Sequence, residues 1–143
     1  MSDASADILT AGVDHVGLSV EDLPKSKQFF TECLGWRLTG ERAEYPAAFV
    51  SDGQTRVTLW QVDNKSPFVP FDRRRNVGLH HLALKVRNLD DLHRLHERVI
   101  KWPGVTAEFS PEPSSGGPRV HFMIREPGGC RIEFVCDPRI GER

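Results

Sequence analysis

His15 and His81 stand at matching points of an internal repeat, and Glu133 stands in the last apolar run of the chain. The segment from Gly12 to Leu23 can be laid on the segment from Gly78 to Leu89 without a gap, at a constant offset of 66 residues. Gly, His, Leu, Val and Leu coincide, so His15 answers to His81 and not to its neighbour His80. Glu133 lies between Ile132 and Phe134, where a strand carboxylate is costly to bury unless something pairs with it. Two imidazoles and one carboxylate suit a transition metal ion and leave positions open for substrate oxygens. A strand histidine taken singly is more often a satisfied or half-exposed residue than a ligand. The coincidence of His with His across the repeat is what singles these residues out.

The elements that would position them also recur. Each repeat opens on an alternating strand-like stretch. Asp22 or Asn88 then stands where a short side chain can cap a helix, and Pro24 fits a first helical turn. In the first helix Phe29, Phe30, Cys33 and Leu34 form an apolar stripe that Gly35 is placed to end. In the second, Leu92, Leu95 and Val99 recur at helical spacing and the segment stops before Pro103. Strand-like stretches follow at 36–38, 47–51 and 56–62, and again at 106–109, 119–124 and 131–136. The final strands align at an offset of 75, so the second copy carries about nine extra residues, expected between Pro103 and Pro118. The reading is α+β: a tail at 1–11, a βαβββ module at 12–62, a connector at 63–77, a second βαβββ module at 78–138, and a tail at 139–143. One such sheet has a single helix for one face, so its other face needs a partner, from the same chain or from a second subunit.

Composition excludes several classes. With 143 residues, 38% hydrophobic and 27% charged, the chain reads as an ordinary globular protein. A formal charge of −1 gives no global field toward nucleic acid or an anionic membrane, so neither partner is expected. No apolar run approaches a membrane span, the first ten residues lack the features of a secretory signal, and three cysteines without a C-x-x-C pair do not suggest a disulfide scaffold. A cytoplasmic location with reduced thiols is expected.

The run Asp14-His15-Val16-Gly17-Leu18-Ser19-Val20, then Phe29-Phe30, then Leu34-Gly35-Trp36, resembles the opening of the vicinal oxygen chelate superfamily. That superfamily includes glyoxalase I, type I extradiol dioxygenases, fosfomycin-resistance proteins, methylmalonyl-CoA epimerase and bleomycin-binding proteins. The run from Glu126 to Phe134 resembles its usual D-P-x-G-x-x-[IL]-E ending. The resemblance spans residues 12 to 138 and implies two modules forming a cupped mixed β-sheet with the helices outside. It also implies one divalent metal ion (Zn, Ni, Mn or Fe) on His15, His81 and Glu133, a homodimer, and a small-molecule substrate. The fourth ligand position of the family falls on Thr58, a departure that puts ordinary lactoylglutathione lyase activity in doubt. Gln61 has the opposite strand parity and would need a bulge to reach the metal.

The expected function is a metal-dependent enzyme acting on a substrate with vicinal oxygens through a metal-stabilised oxyanion or enolate. Glu133, Thr58 and His121 are the catalytic candidates, with His121 as a possible base. The alternative is a metal-free ligand-sequestering protein of the bleomycin-resistance type. Arg56 and Arg131 precede Thr58 and Glu133 by two residues and are candidates for an anionic substrate, although structural ion pairs would explain them too. Trp60, Phe49 and Tyr45 are candidates for an aromatic wall. Arg73, Arg74 and Arg75 read as a solvated charge run, His93 and His96 as a solvent face, and His80 has no assigned role.

Overall fold

The computed structural model describes residues 6–63 and 65–140. The outer parts of both expected tails (1–5 and 141–143) and connector residue 64 lie outside the described residues. The first half runs β1 (Val16–Val20), α1 (Leu23–Gln28) with a π-helical continuation (Phe29–Cys33), β2 (Arg37–Arg42), β3 (Ala47–Ser51) and β4 (Arg56–Gln61). The second runs β5 (Leu82–Lys85), α2 (Leu89–Ile100), β6 (Thr106–Pro113), β7 (Val120–Arg125) and β8 (Arg131–Cys136). Each half forms a four-stranded sheet in which the first strand pairs in parallel with the fourth: β1-β4-β3-β2 and β5-β8-β7-β6. The expected α+β class with two βαβββ units is observed.

Strand parity separates core from site. In the first sheet Leu18, Val20, Val50, Val57 and Leu59 point to the helix side and are buried. In the second, Leu84, Phe122, Ile124, Ile132 and Phe134 do the same. The side chains between them face away from the helices. Asp22 accepts from Lys25 N at 3.1 Å and Asn88 from Asp91 N at 2.8 Å, so both expected caps are made.

Two departures from the sequence reading have physical causes. The first helix widens at Phe29, where Leu34 N donates to Phe29 O and Trp36 N to Phe30 O. The wider turn lets the adjacent Phe29 and Phe30, with Cys33, all reach full burial, and Gly35 at φ 76° ends it. In the second module β6, read as 106–109, runs on to Pro113, with register shifts near Phe109.

The halves meet at the Glu126–Cys130 turn. Ser26 Oγ donates to Glu126 Oε1 at 2.5 Å, Cys130 N donates to Oε2 at 2.9 Å, and Glu21 N donates to Gly128 O at 2.9 Å. A Cβ on Gly128 would stand 2.0 Å from Ser26 Oγ and 2.7 Å from Val20 Cβ, so the approach depends on glycine. Burial pushes the Glu126 carboxyl above its ordinary range, against the hydrogen bond from Ser26. All three cysteines are free, and burial pushes the Cys130 thiol up to about 12. Among the described residues, no helix is long and apolar enough to cross a membrane.

Candidate functional site

On the second sheet Glu133 is in register with Ala83 of β5 and Met123 of β7, while His121 is paired with Val135. Same-face parity then puts His121 diagonally beside Glu133. Glu133 Oε1 lies 2.9 Å from His81 Nε2, and its Oε2 is hydrogen-bonded to His121 Nδ1. The three side chains are 13%, 31% and 17% exposed respectively, so the carboxylate is the most sheltered of the group. The Phe109 ring stands 4.8 Å from His121 and covers it. His81 itself precedes the first residue of β5 rather than lying within the strand.

Behind this trio sits Arg131, whose side chain is 4% exposed. Its Nε and Nη2 both donate to Glu108 of β6 at 2.9 Å, and its Nη1 donates to His80 O at 3.1 Å and approaches His80 Nδ1 at 3.2 Å. His80 Nδ1 is in turn 2.7 Å from His81 Nδ1. The hydrogen bond from Arg131 holds the Glu108 carboxyl below its ordinary range despite burial. Desolvation, then the charge of Arg131, hold His80 below its own. Arg73 from the connector also reaches Glu108, at 4.0 Å, and so is not simply a solvated charge.

The first sheet presents a different surface at the equivalent positions. Gly17, Thr58 and Phe49 form one row across the strands, and Ser19, Trp60 and Ala47 the next. Trp60 lies over Gly17, where a Cβ would come 3.4 Å from the indole nitrogen. Tyr45 and Phe49 flank Trp60 at 4.7 and 6.4 Å between ring centroids, and the Arg42 guanidinium stands 5.8 Å from the Trp60 ring. Thr58 is buried beneath this aromatic face. Gln61 is committed elsewhere: its Oε1 accepts from Leu23 N at 2.7 Å and its Nε2 donates to Glu21 O at 2.8 Å.

His15 precedes β1 as His81 precedes β5. Its Nδ1 lies 2.7 Å from Asp14 Oδ2, and Arg56 Nη2 donates to Asp14 Oδ1 at 2.8 Å. The His15 side chain is 56% exposed, and among the described residues its Nε2 makes no hydrogen bond. The bond from His15, then the charge of Arg56, lower the Asp14 carboxyl. Of the three residues expected at a metal, one chain therefore brings His81 to Glu133 and leaves His15 with Asp14. Among the described residues, no group of three or more His, Cys, Asp or Glu is arranged to hold a metal ion. Gly17 and Ser19 of the first sheet do share a cavity of ≈ 360 Å³ with Phe71, Leu79, His81 and Arg131.

His80, Asp14 and Glu108 escaped the sequence reading. The signal for the first two lay in the repeat itself, where Asp14 aligns with His80 immediately before the paired histidines. Glu108 falls in the extra segment and has no counterpart to align. His96, expected on the solvent face, is half-buried against Phe122 at 5.0 Å between ring centroids, and burial lowers its pKa.

Residues 12–134 match the family model of the Glyoxalase/Bleomycin resistance protein/Dioxygenase superfamily. The chain belongs to that superfamily. Within it, a lactoylglutathione lyase of Haemophilus influenzae is 32% identical over 133 residues, covering 85% of this chain and 89% of that protein. The mitochondrial methylmalonyl-CoA epimerase of Bos taurus is 26% identical over 130 residues, covering 85% of this chain and 72% of the relative. Among solved structures, a glyoxylase/bleomycin resistance protein/dioxygenase domain from Frankia has a TM-score of 0.76 at 26% identity, covering 90% of this chain and 93% of that one. A fosfomycin-resistance protein of Listeria monocytogenes, solved with Mn(II) and a dihydroxypropylphosphonic acid, shares the superfamily fold at a TM-score of 0.70 and 17% identity. That match covers 90% of this chain and 94% of the other.

Proposed function

We propose that the protein is a divalent-metal-dependent enzyme of this superfamily, acting on a small substrate with two adjacent oxygens. The observation that carries the reading is Glu133 held between His81 and His121 on the open face of one sheet. Its separation from His81, 2.9 Å, fits the ~3 Å between two ligands that each stand about 2.1 Å from one ion and subtend roughly a right angle there, as in octahedral coordination. His81 and Glu133 would hold the metal, with His15 as the third ligand. When bound, the ion supplies Lewis-acid polarisation of a substrate oxygen.

His15 sits apart from that pair within its own chain, its side chain more than half exposed. Val13, Val77 and Leu79 are exposed apolar neighbours in sequence of the two histidines. A homodimer in which each copy lends His15 to the other's His81 and Glu133 accounts for both facts. Glu133, relayed by His121, takes and returns the proton at the reacting centre, so one carboxylate serves as ligand and base. The Thr58 hydroxyl, standing where Glu133 stands in the other module, orients a water or a substrate oxygen. Trp60 and Phe49 wall the apolar part of the substrate, and Arg56 lies at the rim for an anionic group.

The test is metal analysis of untagged protein beside a Glu133→Ala variant. About one equivalent of Zn, Ni, Mn or Fe in the parent, lost in the variant, is expected. A mixture of His15→Ala and Glu133→Ala chains should regain part of the lost metal, because a mixed dimer rebuilds one intact site. The Tyr45–Trp60–Phe49 face supports a second reading, a metal-free protein that sequesters a ligand with planar rings or cationic groups. A parent that neither holds nor takes up any of the four metals on titration would favour it over the enzyme.

A further inference from the structure

One end of the second sheet's open face holds more positive charge than the pairing of its strands requires. Arg125 of β7 stands directly opposite Arg131 of β8, and like charges so placed cost stability. In the first module the same register pairs Ser51 with Arg56, so the topology does not impose the second charge. A single carboxylate serves both arginines and a third. Arg131 takes both oxygens of Glu108, its Nε 2.9 Å from Oε2 and its Nη2 2.9 Å from Oε1. Arg125 Nε is left 3.5 Å from Oε2 and Arg73 Nη1 4.0 Å from Oε1, ion-pair contacts without a hydrogen bond.

Arg73 and Arg125 are held in place while keeping most of their donors uncommitted. Arg125 Nη2 donates to Phe71 O at 3.4 Å, its one hydrogen bond among the described residues, and Arg73 makes none. The connector turn that carries Arg73 closes on itself: Arg75 N and Asn76 N donate to Asp72 O at 3.0 and 2.8 Å, and Arg74 N to Asp72 Oδ1 at 2.9 Å. Side chains of Arg73 and Arg125 are 36% and 38% exposed, against 4% for Arg131. The inner guanidinium thus neutralises Glu108, and the outer two remain open to solvent with charge to spare. Arg131 precedes Glu133 by two residues on the same face, a step of about 7 Å at the rise of a strand. We propose that Arg73 and Arg125 form an anion subsite that takes a carboxylate or phosphate group of the substrate, while the substrate's adjacent oxygens lie at Glu133. That the anion belongs to the substrate rests on the function proposed above; the anion site itself does not. An anion between the two guanidiniums offsets the repulsion that Glu108, already matched by Arg131, leaves in place.

The test begins with the full metal-free chain, labelled with ¹⁵N-arginine and titrated with inorganic phosphate at constant ionic strength. Saturable shifts of the Arg73 and Arg125 side-chain signals are expected. Affinity should fall about 10-fold in Arg73→Gln and in Arg125→Gln, and stay unchanged in Arg74→Gln, which removes the neighbouring charge of the same turn. Phosphate that binds all three variants as it binds the parent overturns the subsite. An equal loss in Arg74→Gln overturns it too, since a diffuse field would then explain the binding. Should Arg125→Gln fail to fold by circular dichroism, the more exposed connector variant Arg73→Gln decides alone. The Zn(II)-loaded chain is then titrated with glycerate and with glycerate 3-phosphate, which carry the same adjacent oxygens and differ in the phosphate. The phosphate ester should bind about 10-fold more tightly, an advantage that disappears in Arg73→Gln. Equal affinities in the parent would remove the anion from the substrate and overturn the assignment. Arginine-dependent phosphate binding in a chain that takes up no Zn(II) would sink the metal reading alone. Zn(II) uptake without that binding would sink this inference alone.

Discussion

The two modules share strand order, the parallel pairing of first strand with last, and an arginine that reaches the residue before the repeat histidine. They differ in what they put on the open face. The first offers aromatic rings around a buried threonine; the second offers a carboxylate between two imidazoles. They also differ in the helix, which widens into a π turn in the first and stays regular in the second. Backbone pairing is thus indifferent to the chemistry of alternate side chains. A strand can exchange every outward residue while its inward ones keep the fold.

The largest effect should come from the helices. Phe30 is fully buried and meets Phe29 and Trp36 edge to face, so Phe30→Ala should lower stability by about 3–5 kcal/mol in urea unfolding. Leu92→Ala, at a fully buried position of the regular helix, should cost about 2–5 kcal/mol. A small effect at Phe30 would mean that the π turn relaxes to fill the space.

Next comes the one position where the modules differ most. Glu133→Ala should weaken metal binding by more than about 100-fold, the upper loss seen for an outer partner of a ligand. Thr58→Ala, at the same place in the repeat, should change it by less than about 10-fold. Equal losses in the two variants would show that the faces are not as unlike as their residues.

A smaller, pH-dependent effect belongs to the seam. Glu126 is raised above its ordinary 4.5 by burial, so the stability it contributes is full below that value and is lost as pH rises through the higher folded one. Unfolding midpoints of the parent should therefore fall relative to Glu126→Gln as pH rises through that window. Parallel profiles would place the Glu126 proton elsewhere. The smallest changes are expected at the caps: Asp22→Ala and Asn88→Ala should each cost about 1 kcal/mol in thermal unfolding, with equal weight in the two modules.

Much of this comparison was legible in the residues. β3 and β8 match the read ranges, and β4 and β7 begin and end within one residue of theirs. His121 was legible only as a candidate base, and its hydrogen bond to Glu133 depends on the register of β7 against β8. The π turn was not legible, because adjacent Phe29 and Phe30 read as two positions of an α stripe until the turn that buries both is seen. Nor was the burial of Arg131, since its partner Glu108 lies in the segment without a counterpart. The separation of His15 from Glu133 was hidden for a related reason. Periodicity assigns residues to faces but says nothing of how two faces are set against each other.

The parallel pairing of first strand with last has a consequence for synthesis. β1 cannot be hydrogen-bonded into its sheet until β4 has left the ribosome, about forty residues later. At about 5–20 residues per second that is a wait of roughly 2–8 s. During it, Leu18 and Val20 are without the strand they will pair with, and the first module exists only as the β2–β3 hairpin and its helix. The second module repeats the delay between β5 and β8. A nascent chain of this topology passes twice through an interval with an open strand edge, each lasting until the closing strand has been made.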